Sequence, residues 1–199
     1  MVSLHERTVY TSKPVCWAPG MNESQDWKDF ALGKKQIERS TLAPKLEFTT
    51  PLFRRRLSQL SRMTVQVIHD AAIKFKCNSI PILFTSVFGE INREFTIDRS
   101  VIEEGSVMPA AFSLSTFNAP VALATLALAT LALSAQGEEA SGSASTKCNL
   151  TAGYDVVFPS KGKFSYAAKA ALASVFGGKS KQILFVYGDE CFPKEYDSI

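Results

Sequence analysis

The 199 residues, 46% of them hydrophobic, suffice for one domain with a packed core and are too few for two large domains. A net charge of +3 gives no reason to expect a nucleic-acid partner, and the charged N-terminus does not resemble a signal peptide. The four cysteines, Cys16, Cys77, Cys148 and Cys191, form no CxxC pair and match no metal-binding spacing. We therefore expect reduced, buried thiols in a cytoplasmic protein without a metal or other cofactor.

The first predicted elements are a short strand and a long helix. Residues 8–10 could form a strand, and residues 19–50 are polar and predicted to be irregular. Apolar side chains then recur at 3.6-residue spacing over residues 57–75, which predicts an amphipathic helix. A basic cluster marks its N-terminal end and consists of Arg54, Arg55, Arg56 and Arg62.

A strand, a turn and a second helix follow. Residues 80–86 are a short apolar run typical of a buried strand. Gly89 follows as a turn residue, and residues 90–102 have helical character. This succession is the repeating step of an α/β protein.

The next segment is uncharged from residue 105 to residue 137, and within it residues 119–135 are almost entirely Ala, Leu and Thr. A membrane span needs about 20 predominantly apolar residues. This run is shorter, its Ala and Thr are weakly hydrophobic, and Asn118 precedes it. The pattern favours a helix buried on all sides of a globular domain over a membrane span.

The C-terminal part repeats the α/β pattern. Residues 136–147 are rich in Gly and Ser and predict a mobile surface loop. Residues 154–158 and 182–187 are predicted to form strands, with an Ala-rich helix over residues 165–176 between them. The expected fold class is α/β, with a mixed or parallel sheet covered by helices on both faces and a central buried Ala-rich helix.

Five segments in the right order resemble the β-ketoacyl synthase family. They are PLFRRRLSQLSRM (51–63), FTSVFGE (84–90), MPAAFSLSTFNA (108–119), GKFSYAA (162–168) and ILFVYGDE (183–190). The resemblance is strongest to short, chain-length-factor-like proteins, some of which occur in clusters that make aryl polyene pigments. It implies a half-thiolase fold, with residues 1–199 as one ketosynthase-like domain.

A working ketosynthase needs a cysteine nucleophile at a helix N-terminus and histidines that drive decarboxylation. By the resemblance, the nucleophile would lie between Val157 and Gly162, where Pro159 and Ser160 occupy a degenerate nucleophile position and no cysteine is present. The histidines would come from a second half-domain that this sequence does not contain. We therefore expect a non-catalytic protein.

An alternative is an independent acyl-thioester hydrolase or transferase that uses Ser160, next to Lys161, or Cys148. Activation of a serine needs a positioned base, and no histidine is near in sequence, so a turn that caps the next helix explains Ser160 better. His69 falls within the first long helix, and the sequence assigns it no partner. Glu138 and Glu139 read as a charged loop tip rather than a metal site.

The resemblance also implies a partner surface, since ketosynthases are dimers in which the segment before the buried helix lines the acyl tunnel of the partner. The expected partner is a catalytic β-ketoacyl synthase, in a heterodimer. The strand at residues 154–158 would pair across the interface, and the arginine cluster could dock an acyl carrier protein. The predicted interface and tunnel residues are Met108, Phe112, Leu114, Phe117, Asn118, Tyr154, Val156 and Phe158.

Overall fold

The computed structural model describes residues 8–76, 80–138, 153–159 and 163–195. For residues 133–138 it describes the backbone but not the side chains. Within these ranges the chain forms three strands and seven helices. The strands are β1 (Ile82–Thr85), β2 (Tyr154–Val156) and β3 (Leu184–Tyr187). The helices are α1 (Ser24–Ala31), α2 (Pro51–Arg54), α3 (Gln59–Phe75), α4 (Ile91–Glu104), α5 (Pro109–Ser113), α6 (Ala119–Glu138) and α7 (Ser165–Phe176).

The strands form one sheet in the order β2-β1-β3, and both pairings are parallel. The structure thus confirms the α/β class and decides between a mixed and a parallel sheet for the strands it describes. Successive residues of a strand point to opposite faces, so β1 serves two cores. Ile82 and Phe84 face one core, and Leu83 faces the other.

The larger core lies between the sheet and the helix pair α3 and α6. These helices pack against each other, and both send small and branched side chains toward the strands. Ile68 of α3 and Val121 of α6 are completely buried there. The side chain of Ser58 caps α3 by accepting a hydrogen bond from the Ser61 N–H at 2.9 Å. This packing holds α6 against α3.

The smaller core lies under α7 on the opposite face of the sheet. Ala167 and Ala171 of α7 are buried against Leu83, and the small alanine side chains allow the helix to approach the strand closely. Phe185 of β3 packs beside them and remains only half-buried. Helices therefore cover both faces of the sheet, as expected from the apolar strands, but one face far more fully than the other.

The N-terminal region differs from the sequence-based prediction. Residues 8–10 form no strand, and Tyr10 is 91% exposed, so that prediction was wrong. Residues 19–50 are not wholly irregular, because they contain α1. Its N-terminus is a capping box in which the Asp26 carboxylate accepts the Glu23 N–H at 2.9 Å. A polar helix of eight residues held by its cap has no long apolar repeat to reveal it.

Helix α6 occupies the predicted position but is not buried on all sides. Ala124 and Leu128 are inside, whereas Leu126 is 56% exposed and Thr130 is exposed. The helix continues to Glu138, so the predicted loop begins later than residue 136, and the rest of that loop lies outside the described residues. Among the helices that the structure describes, none is long and apolar enough to cross a membrane.

Candidate partner interface

Helices α4 and α5, together with the residues that lead to α6, form an arm (residues 91–118) on the surface of the body. Neither helix has a single buried residue, although α5 packs against α4. The predicted interface residues Met108 and Phe112 are 73% and 65% exposed. Large apolar side chains left in water are typical of a surface that a partner covers.

The far end of the arm returns to the sheet through aromatic contacts. The ring of Phe117 lies 6.2 Å from that of Phe84 and 4.2 Å from that of Phe158, measured between centroids. Gly89 allows this approach, because it has a positive φ and a Cβ there would lie 3.1 Å from the Phe117 ring. Phe117 is thus partly a core residue, while Phe158 remains 67% exposed.

The Asn118 amide and strand β2 meet beside these rings. The Nδ2 of Asn118 donates a hydrogen bond to the hydroxyl oxygen of Tyr154 at 3.1 Å. The structure therefore brings together Phe117, Asn118, Tyr154 and Phe158, which are four of the residues predicted for the interface. Leu114 lies half-exposed on the arm, and Val156 turns toward the larger core instead of the surface.

Strand β2 lies at the edge of the sheet that the structure describes. The Gly153 carbonyl accepts the Ile82 N–H, and the Val157 N–H donates to the Phe84 carbonyl, at 3.2 and 3.0 Å. Successive residues of a strand direct their backbone N–H and C=O groups to opposite sides, so the groups of Tyr154 and Val156 point away from β1. No described strand lies beyond β2. This edge can accept a further strand.

Three carboxylates join the arm to the body, and we call Glu90, Asp189 and Glu190 the carboxylate clasp. Glu90 is completely buried and accepts hydrogen bonds from the hydroxyls of Ser58 and Ser61 at 2.7 and 2.6 Å. Its second oxygen is 3.2 Å from the Nε of Arg93. The start of α3 and the start of α4 are therefore held by one side chain.

Glu190 binds the same two helices from the other side. It accepts the Leu60 N–H of α3 at 3.3 Å and the Asn92 N–H of α4 at 3.1 Å. Both donors lie at helix N-termini, where a negative charge is favoured. Burial nevertheless raises the pKa of Glu190 above its usual range, with Glu90 adding to the increase and the two hydrogen bonds opposing it.

Asp189 fixes the turn between β1 and α4. Its Oδ1 accepts the Ser86 hydroxyl at 2.6 Å, the Val87 N–H at 2.9 Å and the Phe88 N–H at 3.0 Å. Partial burial and a hydrogen bond to Asp189 raise the pKa of Tyr187. Sequence reasoning did not assign a role to the clasp. The available signal was that acidic residues follow two predicted strands after short turns that contain Gly89 and Gly188, and the carboxyl ends of parallel strands share one edge of a sheet.

A family model described as "Beta-ketoacyl synthase, N-terminal domain" matches residues 27–199. The chain belongs to this family. The search of curated proteins gave no significant match.

A solved structure, the ketosynthase ApeO in complex with its chain length factor ApeC from Xenorhabdus doucetiae, is similar in fold with a TM-score of 0.61. The sequence identity is 22%, and the match covers 91% of this chain and 67% of the chain to which it was aligned. At this identity the likeness shows the thiolase-like fold.

The position at which ketosynthase-like proteins carry their nucleophile is only partly described. Phe158 and Pro159 follow β2, with Pro159 half-buried. Ser160, Lys161 and Cys148 lie outside the described residues, so the structure does not test the hydrolase alternative. The side chains of Glu138 and Glu139 also lie outside this description. In the ranges that the structure covers, no group of three or more His, Cys, Asp or Glu side chains could hold a metal ion.

The four arginines do not form one solvated cluster at the start of one helix. They extend from α2 through a turn into α3, and two of them are structural. Arg54 donates to the carbonyls of Leu46 and Thr49, and Arg62 donates to the Arg54 carbonyl at 2.8 Å. Arg55 and Arg56 are exposed, so only these two are available to an acidic partner.

His69 and the cysteines also differ from the expectations. His69 stacks on Phe48 with ring centroids 3.6 Å apart, and its Nδ1 lies 3.1 Å from the carboxylate of Asp70, the neighbouring residue. An adjacent Asp is the partner that the sequence reasoning overlooked. Cys16 is exposed and Cys191 half-buried, so burial of these free thiols was wrongly predicted, and Cys77 lies outside the described residues.

Proposed function

We propose that this chain is a non-catalytic, chain-length-factor-like partner of an active β-ketoacyl synthase. In this proposal it stabilises the catalytic subunit and shapes the acyl tunnel during elongation of a polyene or fatty-acid-like chain. The observation that carries the proposal is the arm, on which Met108 and Phe112 are exposed and whose two helices contain no fully buried residue. Family membership supports it, and so does the fold shared with a complex of a ketosynthase and its chain length factor.

The missing nucleophile supports a non-catalytic role. The sequence from Val157 to Gly162 contains no cysteine, and a ketosynthase cannot form its acyl-enzyme without that thiolate. The catalytic subunit would supply the cysteine and the histidines. A cytoplasmic location, where free thiols such as Cys191 stay reduced, would fit such a complex.

The mode of association follows from two surfaces. The exposed face of the arm would bury Met108 and Phe112 against the partner, close to the rings of Phe117 and Phe158. The open edge of β2 would pair with a strand of the partner and so extend one sheet through both subunits. Tyr154 and Asn118 lie between these surfaces and would join them.

The test is co-expression with the catalytic ketosynthase of the same organism, followed by co-purification and measurement of product chain length. We expect a heterodimer whose products differ in length from those of the synthase alone. Phe112→Ala should weaken the heterodimer and shift product length, because Phe112 would line the tunnel. Leu52→Ala is the matched control, since Leu52 is 64% exposed on α2.

A stable monomer that leaves the products of the synthase unchanged would contradict the proposal. Thioester turnover by the isolated chain, lost on Ser160→Ala or Cys148→Ala, would instead favour an independent hydrolase or transferase.

The same complex can test docking of an acyl carrier protein. We propose that Arg55 and Arg56 attract the acidic carrier electrostatically. The double substitution Arg55→Glu and Arg56→Glu should lower carrier affinity at low salt without changing the heterodimer. Lys28→Glu, on exposed α1, is the control. Equal carrier affinity for the double variant and the unsubstituted chain would show that the carrier docks elsewhere.

A further inference from the structure

The outer face of α4 carries a shallow groove that the proposed interface does not use. Its volume is about 350 Å³, and it is lined by Phe95, Asp98, Arg99, Ile102 and Glu103. These positions recur at the three- and four-residue spacings that place side chains on one face of a helix. We call this surface the α4 groove.

The floor of the α4 groove is apolar. Ile102 is 84% exposed, and the guanidinium of Arg99 lies 5.3 Å from the ring centroid of Phe95. Val101, next to Ile102, is 49% exposed. A single exposed isoleucine is ordinary on a protein surface, but the same arm also carries the exposed side chains of Met108 and Phe112.

The rim of the α4 groove is negatively charged. Asp98 has no ion-pair partner among the residues that the structure covers, and Glu94 lies one turn before it on α4. Among the described residues that line the groove, Arg99 is the one cation, and it is already engaged by Glu195 at 3.0 Å and by Glu103 at 3.9 Å. The charge of Arg39 also acts on Glu195, so four carboxylates stand against two guanidinium groups in this region, and the field still favours a cation.

We propose that the α4 groove receives a positively charged segment of the catalytic partner, with one apolar side chain of that segment packed between Phe95 and Ile102. This inference rests on the proposed function, because the groove lies on the same arm as Met108 and Phe112. The acidic rim would speed and orient association, and the apolar floor would supply the buried contact. A lysine- or arginine-rich segment is the chemistry that fits both features.

The experiment measures the dissociation constant of the full chain and the co-expressed ketosynthase at about 50 mM and about 500 mM salt. The charge variant is the double substitution Asp98→Lys and Glu103→Lys. It should weaken binding about tenfold at low salt and about twofold at high salt, since surface charges are screened over a few ångströms in strong salt. Glu47→Lys, an exposed carboxylate away from α4, should leave binding unchanged.

The apolar variant is Ile102→Ala. Removal of a side chain that is exposed in the free chain but covered in the complex should weaken binding about fivefold at both salt concentrations and leave the melting temperature of the free chain unchanged. Ile73→Ala is the matched control, because Ile73 is 58% exposed on α3.

The outcomes separate the two proposals. If the unsubstituted chain binds the ketosynthase and Phe112→Ala weakens that binding, while the groove variants bind normally, the groove inference is wrong and the proposed function stands. If the control variants weaken binding as much as the groove variants, the groove inference is also wrong. If the unsubstituted chain does not bind the ketosynthase, both fail.

Discussion

Helices α3 and α4 are similar in length and in amphipathic pattern, but the protein holds them in opposite ways. Seven residues of α3 are buried, and its apolar face completes the larger core with α6. No residue of α4 is buried, and the carboxylate clasp holds its N-terminus through Asn92 and Arg93. One helix is therefore part of the hydrophobic core, whereas the other is anchored by polar groups and leaves apolar side chains such as Ile102 exposed.

The largest expected change in stability comes from a substitution in the core, and the same substitution on the arm provides the comparison. Ile68→Ala should lower the free energy of unfolding by about 2 to 5 kcal/mol, because it leaves a cavity at a completely buried position. Ile102→Ala should change it by less than about 0.5 kcal/mol, because that side chain is already in water. Urea denaturation of the isolated chain measures both, and equal effects would show that α4 is part of the core.

The next effect concerns the clasp. Glu90→Gln should lower the free energy of unfolding by about 2 to 4 kcal/mol, since it places an amide against the Arg93 guanidinium and leaves a partly buried charge unpaired. In the Glu90→Gln variant, the backbone amides of α4 should exchange hydrogen faster than those of α3. The control is Glu104→Gln at the exposed end of α4. If α4 kept its protection in Glu90→Gln, the clasp would not be its anchor.

A third prediction uses pH to test Glu190 of the carboxylate clasp. The pKa of Glu190 is raised in the folded protein, so folding takes up a proton at pH values between the ordinary and the raised pKa. The contribution of this group to stability is complete below about pH 4 and is lost as the pH rises through the raised value.

Glu190→Gln removes this titration. The stability of the unsubstituted chain, relative to that of the variant, should therefore fall as the pH rises from about 4 through the raised pKa of Glu190. Denaturation curves of both proteins across this range measure the difference. Parallel pH profiles would show that Glu190 does not titrate with folding.

The smallest effect is expected at the surface of the arm. Arg99 and Glu195 are both about half-exposed, and their ion pair is screened by water and salt. Arg99→Gln should leave the melting temperature of the free chain unchanged at low and at high salt. A clear decrease at low salt alone would show that this pair contributes to anchoring α4, in addition to the clasp.

Local pattern predicted much of the body. The position of α3 followed from helical periodicity, because burial of one face imposes that periodicity on the sequence. The positions of α6, α7, β1 and β3 followed from apolar or Ala-rich runs. Helix α1 was missed because it is short and polar, and its capping box uses residues that are also common in loops. The strand predicted at residues 8–10 was wrong because β-branched residues alone do not provide a partner strand.

The candidate site was predicted in part. A resemblance of ordered motifs indicated the segment from Met108 to Asn118, and the structure brings its end to Tyr154 and Phe158. Its role in binding remains a prediction. The split of the arginines into two structural and two exposed side chains could not be read from the sequence, since it depends on which backbone carbonyls Arg54 and Arg62 reach.

The sequence by itself determined the α/β class, the family and the absence of a cysteine between Val157 and Gly162, because these depend on residue order alone. Only the tertiary structure decided which apolar helices are covered. It left one side of α6 and all of α4 outside the core, and it brought Glu90 within reach of Ser58 and Glu190 within reach of Leu60. The physical reason is that burial and hydrogen bonding between Leu60 and Glu190, 130 residues apart, arise only when strands and helices pack.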